Sequence, residues 1–396
     1  MFKKNVVVLG GGFAGVAACL QIKKHLKEID ADVTLIDRNN FHLFTPSLYE
    51  VATHEESRKN IAIPFGEIFN HEIKVLAGEV ETIDAGKKMV ILKSGIRCSY
   101  DYLIIALGSE PEYFGIQNLS KHSLPLKTLP DAIKIQKTIE KYYHKKDHKK
   151  DNLETINVVI GGGGFSGTEL VAEMINYEEA LSKKFYCDNE CIKLTIIQGS
   201  DRLLKELDSK ASEVARKRLE NFGVELHFGE HVKSVTSDII ITDKGNNYKY
   251  DVFIWTGGVK AANVIGESGF STNAKGQVKV TDNLQVVGCE NIFAAGDIAE
   301  FGPWVAQVAE DEGKIAGENV CRLIKGLPLK KYHFSHFGYI VPLRGRFAIL
   351  ALKNLHVVGF LGWIAQQIVF LRYLLGILPL FKAFKRWNQF ERELRQ

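Results

Sequence analysis

Residues 6–20 read VVVLGGGFAGVAACL, and residues 158–171 read VVIGGGGFSGTELV, the same phrase returning 152 positions later, from Gly10 to Gly162. In the first copy the apolar strand 6–9 runs into glycines 10, 12 and 15 and then into a helical pattern of Val16, Leu20 and Ile22. A second strand, DVTLID, ends at Asp37, about 20 residues beyond the last glycine. Each part has a cause. The first glycine allows a tight turn, the second lets backbone approach a pyrophosphate, and the third lets helix and strand pack closely. N–H groups at the helix start hold phosphates, and Asp37 can accept hydrogen bonds from a ribose diol. The alternative is a phosphate-free turn with Asp37 as a surface cap. The second copy repeats the plan with strand INVVI, glycines 162, 164 and 167, helix TELVAEM and strand KLTIIQ, which ends in the neutral Gln198. The fold class is therefore α/β with two Rossmann-like dinucleotide-binding domains. Two dinucleotides in one chain are most economically explained by electron transfer between them.

The chain has 396 residues, 45% of them hydrophobic, enough for two or three domains with substantial cores. After MFKK the apolar run dissolves into glycine, so no secretory leader is read and the N-terminus is expected on the cytosolic side. Cysteines 19, 98, 187, 191, 289 and 321 form no Cys-x-x-Cys and read as buried thiols. No metal site is expected. The net charge is +4, and residues 372–396 hold six basic and two acidic residues, leaving 45 of each sign before them. A basic excess beside an apolar stretch points to an anionic lipid surface and away from nucleic acid. The basic stretch 134–152 reads as a solvated helix or linker.

A late segment, GCENIFAAGDIAEF (288–301), ends an apolar strand in Gly296-Asp297. With both loops it resembles the two-dinucleotide-binding-domain flavoprotein fold shared with glutathione reductase, over residues 4–330. Within that fold, NFHLFTPSLYEVATHE (40–55), GFSGTELVAE (164–173), WTGGVKAA (255–262) and the tail resemble the type II NADH:quinone oxidoreductases. The reading divides the chain into an FAD-binding domain (1–115 and 276–330), an inserted NAD(P)H-binding domain (116–275) and a C-terminal membrane-anchoring region (331–396). The resemblance implies that Gly10, Gly12, Gly15 and Asp37 hold the adenosine diphosphate of FAD. It places Thr45 and Pro46 along the flavin, and Gly296 and Asp297 at the ribityl chain. Gly162, Gly164 and Gly167 are to hold NAD(P)H phosphates, with Gln198, Gly257 and Gly258 completing that site. Glu169 matches a family glutamate near nicotinamide and flavin, and equally suits a first-turn acid favoured by the helix dipole. PWVAQVAEDEGKIAGENV resembles the family's quinone-side helix, Ala-Gln-x-Ala-x-Gln: Ala306, Gln307 and Ala309 match, whereas Asp311 replaces the second glutamine. Gln307 can donate to and accept from a quinone, or be an ordinary exposed helix residue. In 335–350 only Gly345-Arg346 survives of a family motif, and Gly338 stands where many relatives have lysine.

With a neutral Gln198 and Arg202 close by in sequence, NADH is expected as the donor, with NADPH rejected less sharply than a glutamate would reject it. From 355 to 381 the tail is nearly all apolar. Its 17 residues 355–371 fall short of the ~20 needed to span a bilayer. Ile377, Leu380, Phe381, Phe384 and Trp387 recur at helical spacing, with Lys382, Lys385 and Arg386 on other faces and Trp363 and Trp387 near the polar boundary. That pattern suits an amphipathic helix lying in the interface; a spanning helix or a core or dimerisation helix are the alternatives, and a homodimer is left open. The whole reads as a non-pumping FAD enzyme on the cytoplasmic face of the cell membrane, passing electrons from NADH, or NADPH as a second donor, to a membrane quinone. Glu169 and Gln307 are its residues nearest the reacting atoms. The rivals are a sulfide:quinone oxidoreductase, which needs redox cysteines beside the flavin, and a low-turnover NAD(P)H-responsive flavin-binding protein.

Overall fold

The computed structural model describes residues 3–54, 58–145, 155–185, 191–334, 338–353 and 355–393. Glu55, Cys187, residues 335–337 and the ends of the stretches 134–152 and 372–396 lie outside the described residues. The first glycine phrase leaves the middle of a five-stranded parallel sheet. Lys4–Leu9 pairs with Ala31–Asp37 on one side and Tyr102–Ile105 on the other, with Lys74–Ala77 and Ile292–Ala294 at the edges. Val6, Val7, Val8 and Leu9 are all buried, Val6 and Val8 in a cluster with the helix Phe13–His25 and Val7 and Leu9 in a cluster with the antiparallel strands Val80–Asp84 and Met89–Leu92.

The second phrase repeats this. Ile156–Gly161 lies between Ile192–Gln198 and Val252–Trp255, with Glu225–Phe228 and Leu124–Pro125 outside, all parallel. The chain leaves the first sheet after Tyr102–Ile105 and returns to it at Ile292–Ala294. The two crossings pair with each other, Ser109–Pro111 running antiparallel to Val259–Ala261. The helix Phe13–His25 packs along Ala306–Ile324 at glycine: a Cβ on Gly313 would stand 2.1 Å from the Ala14 carbonyl oxygen, and one on Gly317 2.6 Å from that of Ala18.

Three expectations need correcting. The stretch from 134 belongs to the helix Leu129–Lys145, which buries Ala132, Ile135, Gln136, Ile139 and Tyr143 along one side. Their three-and-four spacing makes it an amphipathic packing helix with charges outward. The C-terminal region is not purely helical. Gly338–Pro342, Ala348–Leu352 and His356–Gly359 form an antiparallel sheet, and the first tail helix begins only at Phe360. The apolar face 377–387 is split, because Leu378 is extended before Pro379 and separates Phe360–Ile377 from Leu380–Glu393. Ile377 therefore turns inward, while Leu380, Phe381 and Phe384 stay exposed and Trp387 packs half-buried against the core.

The cysteines also differ from six buried thiols. Cys191 is disulfide-bonded, Cys98 and Cys289 are half-buried, and Cys19 and Cys321 are buried and free. A methyl group at Gly313 forces the 13–25 and 306–324 helices apart. Gly313→Ala is thus expected to destabilise the protein by about 1–3 kcal/mol, read as a lower melting temperature by circular dichroism.

Candidate active site

The two glycine phrases fold into cradles built on the same plan. Gly10 and Gly162 have φ of +95° and +114°, a left-handed backbone that only glycine adopts without strain. A Cβ on Gly15 would lie 1.8 Å from the Gly10 carbonyl oxygen, and one on Gly167 2.0 Å from that of Gly162. The middle glycines behave oppositely: within 4 Å of a Cβ on Gly12 or Gly164 there is nothing. Strand and helix are thus clamped by the first and third glycines, and the second opens onto free space at a helix start. That is the shape and polarity that receive a dinucleotide's pyrophosphate. Gly257 passes so close to Gly162 that a Cβ on Gly162 would meet its Cα at 2.7 Å, and Gly258 leans on Phe114. These two glycines border the second cradle through packing.

At the end of each second strand, a side chain ties back to its loop. Asp37 Oδ2 accepts from the Gly11 N–H at 2.6 Å and Oδ1 from the Asn39 N–H at 2.7 Å. Gln198 copies the first contact, its Oε1 accepting from the Gly163 N–H at 2.8 Å while its Nε2 donates to the Ser200 hydroxyl at 2.6 Å. The Asp37 carboxylate retains lone pairs for a ribose diol. Gln198 is spent on its own loop and carries no charge to repel a 2′-phosphate. Arg202 lies close by, but its Nη2 donates to the Lys205 and Leu207 carbonyls.

Gly296-Asp297 follows the strand Ile292–Ala294. A Cβ on Gly296 would meet Ala14 and Ala309 at 3.2 and 3.3 Å, so this turn is wedged between the starts of helices 13–25 and 306–324. Asp297 Oδ2 accepts from the Ser109 hydroxyl at 2.5 Å and lies 3.7 Å from Lys127 Nζ, which donates to Ser109 Oγ at 2.7 Å. Beneath it the buried Glu312 accepts from the Gly296 N–H at 2.7 Å. Burial, and then the neighbouring charge of Asp297, raise the Glu312 carboxyl to about 7. Thr45 and Pro46 are exposed, and Gln307 is half-buried in the first turn of Ala306–Ile324. Glu169 is half-buried; burial and then the charge of Glu50 push its carboxyl well above the usual range. Glu50 and Glu173 are both buried; burial raises the phenol of Tyr49, and the charges of Glu50, Glu169 and Glu173 raise it further.

Sequence reasoning missed several of these groups. Ser109, Lys127 and Glu312 have no motif, since each meets Gly296-Asp297 only through folding. Glu50 lay inside the quoted stretch 40–55 but was not singled out. The largest omission is a link from the tail. Tyr373 is 2.7 Å from His42 Nε2, and His42 Nδ1 is 3.0 Å from the Gly11 carbonyl oxygen. A carbonyl only accepts, so Nδ1–H donates to Gly11 and Nε2 accepts from the Tyr373 hydroxyl. Burial drives His42 down to about 4, which keeps the ring neutral in this arrangement. Phe13, Phe44 and Phe370 close around the pair, with Phe44 and Phe370 centroids 4.8 Å apart.

Residues 4–313 match the family described as pyridine nucleotide-disulphide oxidoreductase. The chain belongs to that family. Among curated relatives, the type II NADH:quinone oxidoreductase of Staphylococcus saprophyticus is 24% identical, covering 97% of this chain and 98% of its own. That of Haemophilus influenzae is 29% identical over 89% of this chain and 87% of its own. Among solved structures, NDH2 from Plasmodium falciparum in complex with NADH superposes with a TM-score of 0.84 at 18% identity, covering 98% and 97% of the two chains. The sulfide:quinone oxidoreductase of Aquifex aeolicus gives 0.77 at 20% identity, over 96% and 94%. Both likenesses bear on the fold.

Tyr373→Phe leaves His42 Nε2 buried and unpaired, at a cost of about 1–3 kcal/mol, and is expected to release bound flavin at lower urea than the wild type. Glu312 binds its proton more tightly folded than unfolded. Its stabilising contribution is complete below the ordinary glutamate value and is lost as pH rises through about 7. Flavin retention is expected to weaken over that window, and Glu312→Gln, which still accepts from Gly296, is expected to flatten the dependence in a pH series of thermal melts.

Proposed function

We propose that the chain is an FAD-dependent NADH:quinone oxidoreductase acting at a membrane surface without pumping protons. The observation that carries this reading is the pair of glycine cradles, each on a parallel sheet whose four strands around the turn run in the same order and each with its middle glycine open. FAD fits the first, where Asp37 supplies a charged acceptor for the ribose and Asp297 a second acceptor further along. NAD(P)H fits the second. We assign residues 1–115 and 276–330 to the FAD domain, 116–275 to the nicotinamide domain and 331–396 to the anchoring region. When bound, FAD accepts a hydride from the reduced nicotinamide and passes two electrons onward.

The chain's own residues set the conditions for that exchange. The amides at the starts of helices 13–25 and 165–185 bind phosphate charge. Thr45 and Pro46 border the flavin ring, and Glu169, close enough to Glu50 to feel its charge, serves as a carboxyl held toward its protonated form. Gln307, at the positive start of its helix, orients the acceptor with one donor and one acceptor. The sulfide reading lacks an activated thiol among the described residues: burial pushes Cys321 up to about 12 and raises Cys19 further, and it also raises Cys98 and Cys289.

The tail supports attachment to lipid. Phe360–Ile377 is 18 residues long with mean hydropathy 1.4, and a third of it is buried within the protein. It is the one helix among the described residues long and apolar enough to cross a bilayer, whereas a pump needs a bundle carrying ionisable groups. Its outer side exposes Leu361, Ile368, Val369 and Leu375, and the next helix exposes Leu380 at 67% and Phe381 at 80% beside Lys382 and Lys385. Apolar side chains standing in water next to lysines fit a helix pair lying in an anionic headgroup layer. The cytoplasmic leaflet is the proposed face.

Anaerobic mixing with NADH is expected to bleach the flavin quickly, and a short-chain quinone to restore it. Bleaching by sulfide but not NADH, or slow reduction that quinone leaves unchanged, overturns the reading. Leu380→Glu with Phe381→Glu is expected to abolish sedimentation with anionic vesicles while flavin stays bound. Gln198→Glu puts a charge against a 2′-phosphate and is expected to raise the NADH over NADPH ratio of kcat/KM about tenfold, about 1.4 kcal/mol.

A further inference from the structure

The residue after the open glycine is phenylalanine in both phrases, Phe13 after Gly12 and Phe165 after Gly164, and each stands first in its helix. Each meets a tyrosine of the C-terminal region. The rings of Phe13 and Tyr373 lie 5.0 Å apart, in the group that closes around His42. The rings of Phe165 and Tyr339 also lie 5.0 Å apart and only 21° from parallel, a stacked pair. Tyr339 belongs to Gly338–Pro342, the first strand of the antiparallel sheet. Burial, and then the charge of Glu206, raise its phenol. Glu206 follows closely on Leu204, whose N–H donates to the Gly163 carbonyl at 2.8 Å, so Tyr339 stands near the second glycine phrase from two directions.

The same sheet grips the rest of that helix. Arg344, in the turn after the strand, donates from Nε to Asn176 Oδ1 at 2.9 Å and pairs with Glu179. Asn176 and Glu179 follow Phe165 by about three and four helical turns, so all three share one face of Phe165–Phe185. The turn is itself pinned by Arg218 of Ser209–Glu220. Its Nε donates to the Leu343 carbonyl at 2.6 Å, and its guanidinium lies 3.7 Å from the centre of the Phe347 ring. The sheet is in turn pressed onto the tail helix, where a Cβ on Gly362 would stand 2.2 Å from the Ala348 carbonyl oxygen. The helix start at the second cradle is therefore held by a sheet that belongs to neither parallel-sheet unit.

A helix start is where a helix frays, since its first N–H groups have no partner within the helix. The first cradle has Asp37 as a charged acceptor; in the second, Gln198 is neutral and spent on its own loop. The second cradle depends the more on its helix-start amides, and an amide already fixed binds at lower entropic cost than a mobile one. We propose that Tyr339 is a positioning residue for the nicotinamide dinucleotide, stacking on Phe165 to fix the turn whose amides receive the pyrophosphate. The inference rests on the NAD(P)H reading of the second cradle given above.

The test compares full-length holoprotein as wild type, Tyr339→Leu, Tyr339→Phe, Phe165→Leu and the Tyr339→Leu/Phe165→Leu double variant. Calorimetric titration of the oxidised protein with NAD⁺ reads binding without turnover, and anaerobic mixing with NADH reads the concentration that half-saturates flavin bleaching. Both constants are expected to rise about fivefold in Tyr339→Leu, the loss of one stacked pair, while the limiting bleaching rate and the half-saturation of flavin recovery by a short-chain ubiquinone hold within about twofold. Tyr339→Phe keeps the ring and is expected to match the wild type. The double variant is expected to bind as well as Phe165→Leu, because the two rings act through one contact. Tyr339→Leu constants within about twofold of wild type overturn the inference. So does a Tyr339→Phe loss equal to that of Tyr339→Leu, or a double variant in which the two losses multiply. Should Tyr339→Leu lose its flavin, Phe165→Leu, which leaves the tail sheet unaltered, is read by the same criterion. NADH that leaves wild-type flavin oxidised overturns the proposed activity instead, and the NAD⁺ titration still decides the role of Tyr339.

Discussion

The structure depends on how closely a helix can approach the strand that precedes it. At Gly15 and Gly167 a Cβ would stand only 1.8 and 2.0 Å from the carbonyl oxygens of Gly10 and Gly162. No other residue permits that approach. It aims the helix start at the space above the sheet and leaves the middle glycine open, so a pyrophosphate meets backbone amides instead of side chains. Both parallel sheets place this turn at the end of their central strand, where neighbouring strands flank a crevice. The same economy recurs between helices 13–25 and 306–324, where Gly313 and Gly317 bring the Gly296-Asp297 turn down onto the first cradle.

Around that shared geometry the two cradles diverge in charge. Asp37 and Gln198 occupy equivalent places and make the same hydrogen bond to the loop, which shows that the position has a structural duty in both. Only Asp37 adds a formal charge and spare lone pairs. A resident group held throughout turnover gains from a charged ribose acceptor, while a donor that must leave after each cycle does not need one. On the proposed reading, the side chain at this one position tunes tenacity and nucleotide preference while its bond to the loop is kept.

The tail is joined to the first cradle more intimately than an anchor requires. Gly11 donates its N–H to Asp37 and accepts at its carbonyl from His42, and His42 accepts in turn from Tyr373 on the tail helix. One residue, Gly11, thus connects Asp37, the proposed ribose acceptor, to the helix proposed to lie on lipid. The neutral state of His42 sets the direction of the link, since a second ring proton would make Nε2 a donor and turn the Tyr373 hydroxyl into the acceptor. Hydrophobic packing of Phe13, Phe44 and Phe370 excludes the water that would compete for these bonds.

Much was legible in the sequence because it is local. Both glycine spacings, the flanking apolar strands and the acid or amide about twenty residues later are read from stretches of under forty residues, and the structure places each as the pattern implies. The two-unit α/β architecture and its family followed from those signals. The antiparallel sheet at 338–359 was hidden by its short strands beside a long apolar run, and the break at Leu378-Pro379 was overridden by a spacing that looked continuous. What tertiary structure alone decided is which distant groups meet: Tyr373 with His42, Ser109 and Lys127 with Asp297, Glu312 with Gly296, and Tyr339 with Phe165. Those contacts join residues far apart in the chain, and their chemistry comes from burial, which removes water as the competing partner. Sequence spacing carries no record of burial of that kind.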